Sequence, residues 1–378
     1  MSLVVDTHRQ YLSDRVRLDV FAAAIPRVVR HGDVVLDVGT GTGLLGILAC
    51  RAGASRVYAV EAEGTIELAR AVAAANGVAD RMTFLYGNVM HSEIPERVDV
   101  VLADLIGHMG FEAGVFQIYE HARRWLAPDA RLMPSSITIL AAPVEHPDGF
   151  RDVHFWQTPI AGVAMEPVMR WSANTGYPFR FRAGQLLSAE HASQTFPTVG
   201  APAMLAIDGE VTIARAGTMH GIVGWFSAAM APGVTLTNDP VTSALDRRHV
   251  YLPLTNAVAV AAGDRVAIRL RIRPADMLLR WSIEVRTASG VSRETHSTLE
   301  GMLLTREELR GQAPDARPRL TARGRARATV LELCDGARSL AEIEREVQSR
   351  HPALFASAGD AQAFVSEVVL RYGVFDQA

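Results

Sequence analysis

Lysine is absent from this 378-residue chain: all 38 basic side chains outside histidine are arginine. A lysine base and a lysine Schiff base are thereby excluded, because a guanidinium keeps its proton and serves in neither role. Cysteine is nearly absent. Cys50 and Cys334 are too few and too far apart for a disulfide framework or a zinc site, so no metal is expected. Cys50 lies in an apolar helical run and reads as a small buried hydrophobe. No apolar run approaches ~18 residues, and Met1 to Gln10 lacks a signal-like apolar core, so a cytoplasmic protein without membrane contact is expected. A net charge of −3 gives no basic footprint for nucleic acid. What is present is an ordinary globular composition, 49% hydrophobic and 21% charged, long enough for two or three domains.

The texture changes along the chain. Residues 1–31 carry apolar positions at helical spacing from Tyr11 to Arg30, a lid or packing helix. Residues 32–144 alternate apolar runs (VVLDVG, RVYAVE, MTFLYG, VDVVLADL) with helical stretches such as IELARAVAAANG, which predicts an α/β domain with a doubly wound parallel sheet. Residues 145–304 turn to strands rich in β-branched and aromatic residues, among them TMHGIVGWFSAAM, HVYLPL and LLRWSIEVR; an antiparallel β-barrel or sandwich is expected. A proline-bearing linker falls within 305–319 (RGQAPDARPR). Residues 320–378 look helical.

The stretch VLDVGTGTGLLG, Val35 to Gly46, contains a G-x-G-x-x-G at Gly41, Gly43 and Gly46. A dinucleotide site needs glycines at a turn, a helix N-terminus facing the pyrophosphate and an acid about 20 residues on. Glu61, closing RVYAVE, suits that site and a second one equally. Asp37 separates them. An acid directly before the glycines, D-V-G-T-G-T-G, resembles the first motif of class I S-adenosylmethionine methyltransferases, whose loop passes under a cofactor without phosphates. The resemblance implies a Rossmann-like fold, S-adenosylmethionine as cofactor, and Asp37, Gly39, Thr40 and Gly41 at its methionine end. Glu61 would accept from both ribose hydroxyls, and Asn88 and Val89 would meet the adenine edge.

The segment VDVVLADLIGHMGFEAGVFQIYEHARRWLAPDARLMP, Val98 to Pro134, is similar to the protein arginine methyltransferase family, down to the turn Trp125-Leu126-Ala127-Pro128-Asp129. HFW at His154 to Trp156, MHGIVGWFSAAM and RRHVYLPL resemble that family's β-barrel domain, so the likeness runs from about Tyr11 to Ser297. It places Arg17 against the cofactor carboxylate. Asp104 and Glu112 match the two acids that grip a guanidinium by forked hydrogen bonds and aim one nitrogen at the methyl sulfonium. His249 matches a loop histidine that disposes of the proton or orients the acids. Residues 166–184 lie where the family has a dimerisation arm, which implies a homodimer. The pattern also departs from the family. Asp104 is one methylene shorter than the usual glutamate and is followed by Leu105 instead of tryptophan. Ala113 and Gly114 are small, and the Thr-His-Trp loop has become Arg248, His249 and Val250, losing a flat face for a cation.

Thr329 to Val347 with the following AFVSEVVLRYG resembles the PqqD-like peptide-recognition domain of enzymes that modify ribosomally made peptides. Apolar stripes at Leu331, Leu333, Leu340, Ile343 and Val347 suggest a small helical, winged-helix-like unit. With an adjacent strand, such a unit takes an extended peptide by strand addition and raises its local concentration at the transfer site. The expectation is an S-adenosylmethionine-dependent N-methyltransferase of a ribosomal precursor peptide, acting on an arginine guanidinium or a primary amine. Two alternatives remain: methylation of free arginine or a related small molecule, and a non-catalytic peptide-binding scaffold.

Overall fold

The computed structural model describes residues 4–311, 313–355 and 357–374. The first three residues of the expected N-terminal segment, Gln312 of the expected linker, and Ala356 and Phe375–Ala378 of the expected C-terminal domain lie outside the described residues. The chain divides into two compact units, Met1–Met302 and Leu303–Ala378. Among the described residues no helix is long and apolar enough to cross a membrane.

The first unit opens with helix α1 (Val4–Ser13), which buries none of its residues, and α2 (Arg15–Val28). Asp14 separates them and caps α2 by accepting the Arg17 N–H at 3.3 Å. The buried face of α2 is Phe21, Ala24, Ile25 and Val28, the i, i+3, i+4, i+7 spacing that made the helix legible. The strands β1 (Val34–Val38), β2 (Arg56–Glu61), β3 (Met82–Tyr86), β4 (Val98–Ala103) and β5 (Leu126–Met133) form one parallel sheet in the order β3-β2-β1-β4-β5. Helices α3 (Leu44–Arg51), α4 (Ile66–Ala75) and α5 (Val115–Ala122) alternate with them. Apart from Asp37 and Asp99, β1 and β4 are apolar, and they are buried without alternation because both faces of the sheet are covered. Strand order reverses between β1 and β4, which opens a crevice at their carboxyl ends. The expected turn at Leu126 to Asp129 is instead a bulged stretch inside β5: its register with β4 jumps from Val98↔Leu126 to Val100↔Arg131.

The antiparallel part begins earlier than the boundary at 145 that composition suggested. Strand β6 (Ser136–Val144) pairs with β10 (Gly217–Ala231), and no break in the core separates the layers: Val35, Ile139 and Ile268 belong to one continuous apolar cluster. Helices α6 (Pro147–Val153) and α7 (Met169–Ser172) lead to β7 (Tyr177–Phe179), β8 (Ala192–Pro197) and β9 (Leu205–Thr212). The remaining strands are β11 (Val234–Thr237), β12 (His249–Val260), β13 (Arg265–Arg273), β14 (Leu278–Thr287) and β15 (Gly290–Ser297). They make two sheets, β7-β12-β10-β6-β8 with β11 on β10, and β15-β14-β13-β9. Among the described residues no hydrogen-bonded ladder closes these sheets into the expected barrel. Packing joins them instead: fully buried Trp281 on β14 donates its indole N–H to the Pro253 carbonyl on β12 at 3.2 Å. β7, inside the expected dimerisation arm, is thus spent as an edge strand of the chain's own sheet.

The second unit is helical: α8 (Arg306–Gly311) within the expected linker, then α9 (Ala322–Leu333), α10 (Leu340–Arg350) and α11 (Ala358–Tyr372). Capping boxes at Ser339/Glu342 and Ser357/Asp360 start the last two helices. Leu333, Ile343 and Val347 enter a core with Val330, Phe364 and Val365, whereas Leu331 and Leu340 are exposed. No strand occurs among the described residues of this unit, so they offer no edge of the expected winged-helix kind for strand addition.

Candidate functional site

A cavity of about 530 Å³ occupies the crevice. Its floor is the turn after β1. Gly39 and Gly41 adopt φ of +68° and +54°, left-handed values that glycine enters without strain. A Cβ on Gly41 would stand 2.8 Å from the ring of His8, so the loop must be bare where α1 crosses it. Gly46 serves another purpose: a Cβ there would meet Met82 at 2.8 Å, and its absence lets α3 pack on the sheet. Thr40 lines the cavity beside these glycines.

Asp37 does not line the cavity. It is fully buried, and its Oδ2 accepts from the Thr40 hydroxyl at 2.6 Å and the Gly46 N–H at 2.9 Å, tying the loop to the start of α3. Burial pushes its carboxyl up to about 6 from an ordinary value of 3.8, against the two hydrogen bonds. Because the folded-state value is raised, the folded chain holds a proton that the unfolded chain has already released. Stability is therefore fullest below pH 3.8 and is lost as pH rises through about 6. The expected loss is on the order of 2–3 kcal/mol. An Asp37→Asn variant should lack this component, read as the difference in urea-unfolding free energy between pH 4 and pH 8; an unchanged pH dependence would overturn the assignment.

Glu61, the last residue of β2, brings its carboxylate to the cavity wall. Its Oε2 accepts the Gly41 N–H at 2.9 Å and its Oε1 the Glu63 N–H at 3.1 Å, so one acid fixes the loop and presents remaining lone pairs. Asn88 and Val89 fall outside the cavity lining. The Asn88 side chain caps a short 3-10 turn by accepting the Met90 N–H at 2.9 Å, and Val89 is buried.

Asp104 follows β4 directly and lies beside Gly39, where a Cβ would touch Leu105 at 3.4 Å. Its carboxylate is paired with Arg17 and, at 3.5 Å, with Arg247; all three side chains are at most 13% exposed. Burial, then the charge of Arg247, lowers the Arg17 guanidinium to about 10, still protonated at neutral pH. Arg247 also donates to the Gly107 carbonyl at 3.2 Å and lies over Phe226. The sequence analysis missed it; its only signal was adjacency to the Arg248-His249 pair.

The two acids do not form an open clamp. The Glu112 carboxylate turns back on its own loop, accepting from the Met109 N–H at 2.9 Å and the Phe111 N–H at 3.2 Å. Burial raises its carboxyl, with these backbone bonds opposing. Glu112 therefore shapes the loop and does not line the cavity. His249 is also redirected. At the start of β12 it is 5% exposed, its Nδ1 accepts the Phe181 N–H at 3.0 Å, and its Nε2–H donates to the Asn238 carbonyl at 2.5 Å. Both ring nitrogens are thus engaged by backbone groups, and burial lowers its pKa. Its partner Asn238, absent from the sequence-based expectations, donates to the carbonyls of His108 and Arg248 at 2.8 Å each and so ties those two loops together. His108 lines the cavity, neutralised by burial and by Arg247 and Arg248.

The likeness to known proteins follows the same geometry. A family model described as ribosomal protein L11 methyltransferase (PrmA) matches residues 21–140. The chain is 36% identical over 170 residues to a probable protein arginine N-methyltransferase 6 of Arabidopsis thaliana, covering 44% of this chain and 39% of that protein. It is 29% identical over 272 residues to the histone-arginine methyltransferase CARMER of Aedes aegypti, 67% of this chain and 46% of that protein. The chain thus spans about two fifths of the length of the curated relatives it matches. Among solved structures, the Trypanosoma brucei PRMT1 enzyme-prozyme heterotetrameric complex with AdoHcy superposes with a TM-score of 0.70 at 21% identity, covering 77% of this chain and 96% of that one. Arabidopsis thaliana protein arginine methyltransferase 10 does so with a TM-score of 0.65 at 24% identity, covering 77% and 97%. The fold is therefore that of a Rossmann-type methyltransferase of the protein arginine methyltransferase kind, a parallel sheet followed by antiparallel sheets. Its relatives by sequence are protein arginine methyltransferases.

Proposed function

We propose that this protein is an S-adenosylmethionine-dependent N-methyltransferase, and that its acceptor is a primary amine of a ribosomal precursor peptide. The observation that carries this reading is the crevice itself, lined by bare glycines, by Glu61, and by Asp104 held between Arg17 and Arg247. The residues present suit the cofactor. Glu61 offers an ionised acceptor for a ribose diol, the glycine loop admits the methionine part without a side chain in its way, and Arg17 is the cation nearest its carboxylate. When bound, the cofactor supplies a methyl group on a sulfonium.

Charge supports the amine in this reading. Asp104 is one carboxylate already shared by two guanidiniums. A third guanidinium would be repelled by both of them, an effect that Asp104, Glu61 and Glu63 on the same cavity offset only in part. It cannot escape by losing its proton. A primary amine can: neighbouring cations lower its pKa and leave it neutral and nucleophilic. Asp104 lines the same cavity and is the carboxylate available to accept from its N–H groups.

The helical second unit is proposed to hold the precursor peptide, and a homodimer is proposed on exposed Phe155 and Val163, 55% and 56% accessible, ahead of β7. A monomer mass in light scattering would remove the dimer. The function is tested by transfer of labelled methyl from S-adenosylmethionine to arginine peptides, their amine-bearing counterparts and N-acetylated versions of each. Label is expected on amines and lost on acetylation; label on acetylated arginine peptides would overturn the amine assignment. Removal of residues 320–378 should leave cofactor affinity intact and raise KM for a leader-bearing peptide. Unchanged KM would favour methylation of a free small molecule, and absence of cofactor binding in the full chain would favour a scaffold.

A further inference from the structure

Beside the main cavity lies a second one of about 210 Å³, and Tyr11, Arg17, His108 and Arg247 line both, so the two share a wall. The second cavity adds Arg180 and Arg248 from the antiparallel part of the fold. Within the second cavity four arginines (17, 180, 247, 248) face two aspartates (14, 246), while Asp104, Glu61 and Glu63 belong to the main cavity beyond the shared wall. Every aspartate is already committed. Asp246 pairs with Arg180; Asp14 accepts the backbone N–H groups of Arg17 and Asp246 at 3.3 and 3.1 Å; Asp104 serves Arg17 and Arg247. Arg248 pairs with no carboxylate among the described residues, although Asn238 fixes its carbonyl at 2.8 Å. Its backbone is anchored, its side chain is exposed, and it stands at the mouth of the second cavity.

We propose that this mouth is a carboxylate subsite centred on Arg248, so that the substrate is an acidic peptide presenting its acceptor amine next to a carboxylate. The proposal rests on the amine reading above and names the substrate class that reading left open. A guanidinium matches a carboxylate with two parallel hydrogen bonds, and the surplus charge draws an acidic segment toward the crevice before contact. An aspartate or glutamate side chain and a chain-terminal carboxylate offer the same chemistry, and the test separates them. A basic segment would meet four arginines here and is disfavoured.

The test uses the full chain with S-adenosylhomocysteine present and reads binding by calorimetry or saturation-transfer NMR, with no methyl transfer needed. Three probes are compared: N-acetylglutamine, with a terminal carboxylate only; N-acetylglutamate α-amide, with a side-chain carboxylate only; and N-acetylglutamine amide, with neither. At least one carboxylate probe is expected to bind roughly ten-fold more tightly than the amide, as for a hydrogen bond to a charged group, and which one does so identifies the source. Arg248→Gln should abolish that preference while Arg248→Lys retains part of it. Affinity for S-adenosylhomocysteine should not change, because Arg248 does not line the main cavity. Equal binding or no binding of the three probes, or a preference that survives Arg248→Gln, overturns the subsite. A preserved preference in a protein that methylates no amine would instead refute the proposed acceptor and leave the subsite standing.

Discussion

Replacing Asp104 with alanine is expected to destabilise the chain by about 3–5 kcal/mol and to abolish methyl transfer. The side chains of Arg17 and Arg247 are 12% and 13% exposed, and Asp104 is the carboxylate that both of them reach. Removing it leaves two nearly buried guanidiniums without their directly paired carboxylate, with only the more distant Asp14 and Glu112 to offset them, a cost well above that of losing a surface ion pair. Urea unfolding reads the effect. A second variant tells charge from packing: Asp104→Ala with Arg247→Met removes one of the orphaned charges and should recover part of the lost stability. If Asp104→Ala unfolds within about 1 kcal/mol of the parent, the three-residue cluster is solvent-screened and the electrostatic case against a guanidinium acceptor falls with it.

Replacing Glu61 with glutamine is expected to weaken cofactor binding by about 100-fold while leaving the fold in place. Two charge-assisted hydrogen bonds to a diol account for that magnitude. The amide also sets an N–H₂ against one of the two backbone donors, Gly41 or Glu63, that the carboxylate now accepts. Calorimetry with S-adenosylhomocysteine measures it. A dissociation constant within about three-fold of the parent would mean that Glu61 only ties the glycine loop, and the cofactor assignment would lose its most specific contact.

Particular residues show how far sequence reasoning reached at the site. Gly39, Thr40, Gly41 and Glu61 could be placed because all four follow directly from strand ends, and the strands are fixed by short apolar runs. Asp37 was rightly joined to the glycine loop, yet its carboxylate faces Thr40 and Gly46 and stays out of the cavity. Glu112 and His249 were assigned from their match to a motif. The match located them near the site but said nothing of their orientation. A loop of small residues, Gly107 and Gly110 among them, lets Glu112 fold back onto the Met109 and Phe111 amides. Asn238 and Phe181 claim both nitrogens of His249. Neither partner is near in sequence.

The parallel sheet, its crevice, the glycine loop with Glu61 and the helical character of the last segment are all legible in the chain's local pattern. These features depend on hydrophobic periodicity and turn chemistry over spans of ten residues or fewer. Which charges are available depends instead on long-range packing. Asp104 and Arg247 are 143 residues apart, and their pairing with Arg17 exists because α2, the end of β4 and the segment before β12 converge on one crevice. An ion pair in a low-dielectric crevice is set by distance and burial, and neither quantity is written in the local sequence. That convergence commits Asp104 to two arginines.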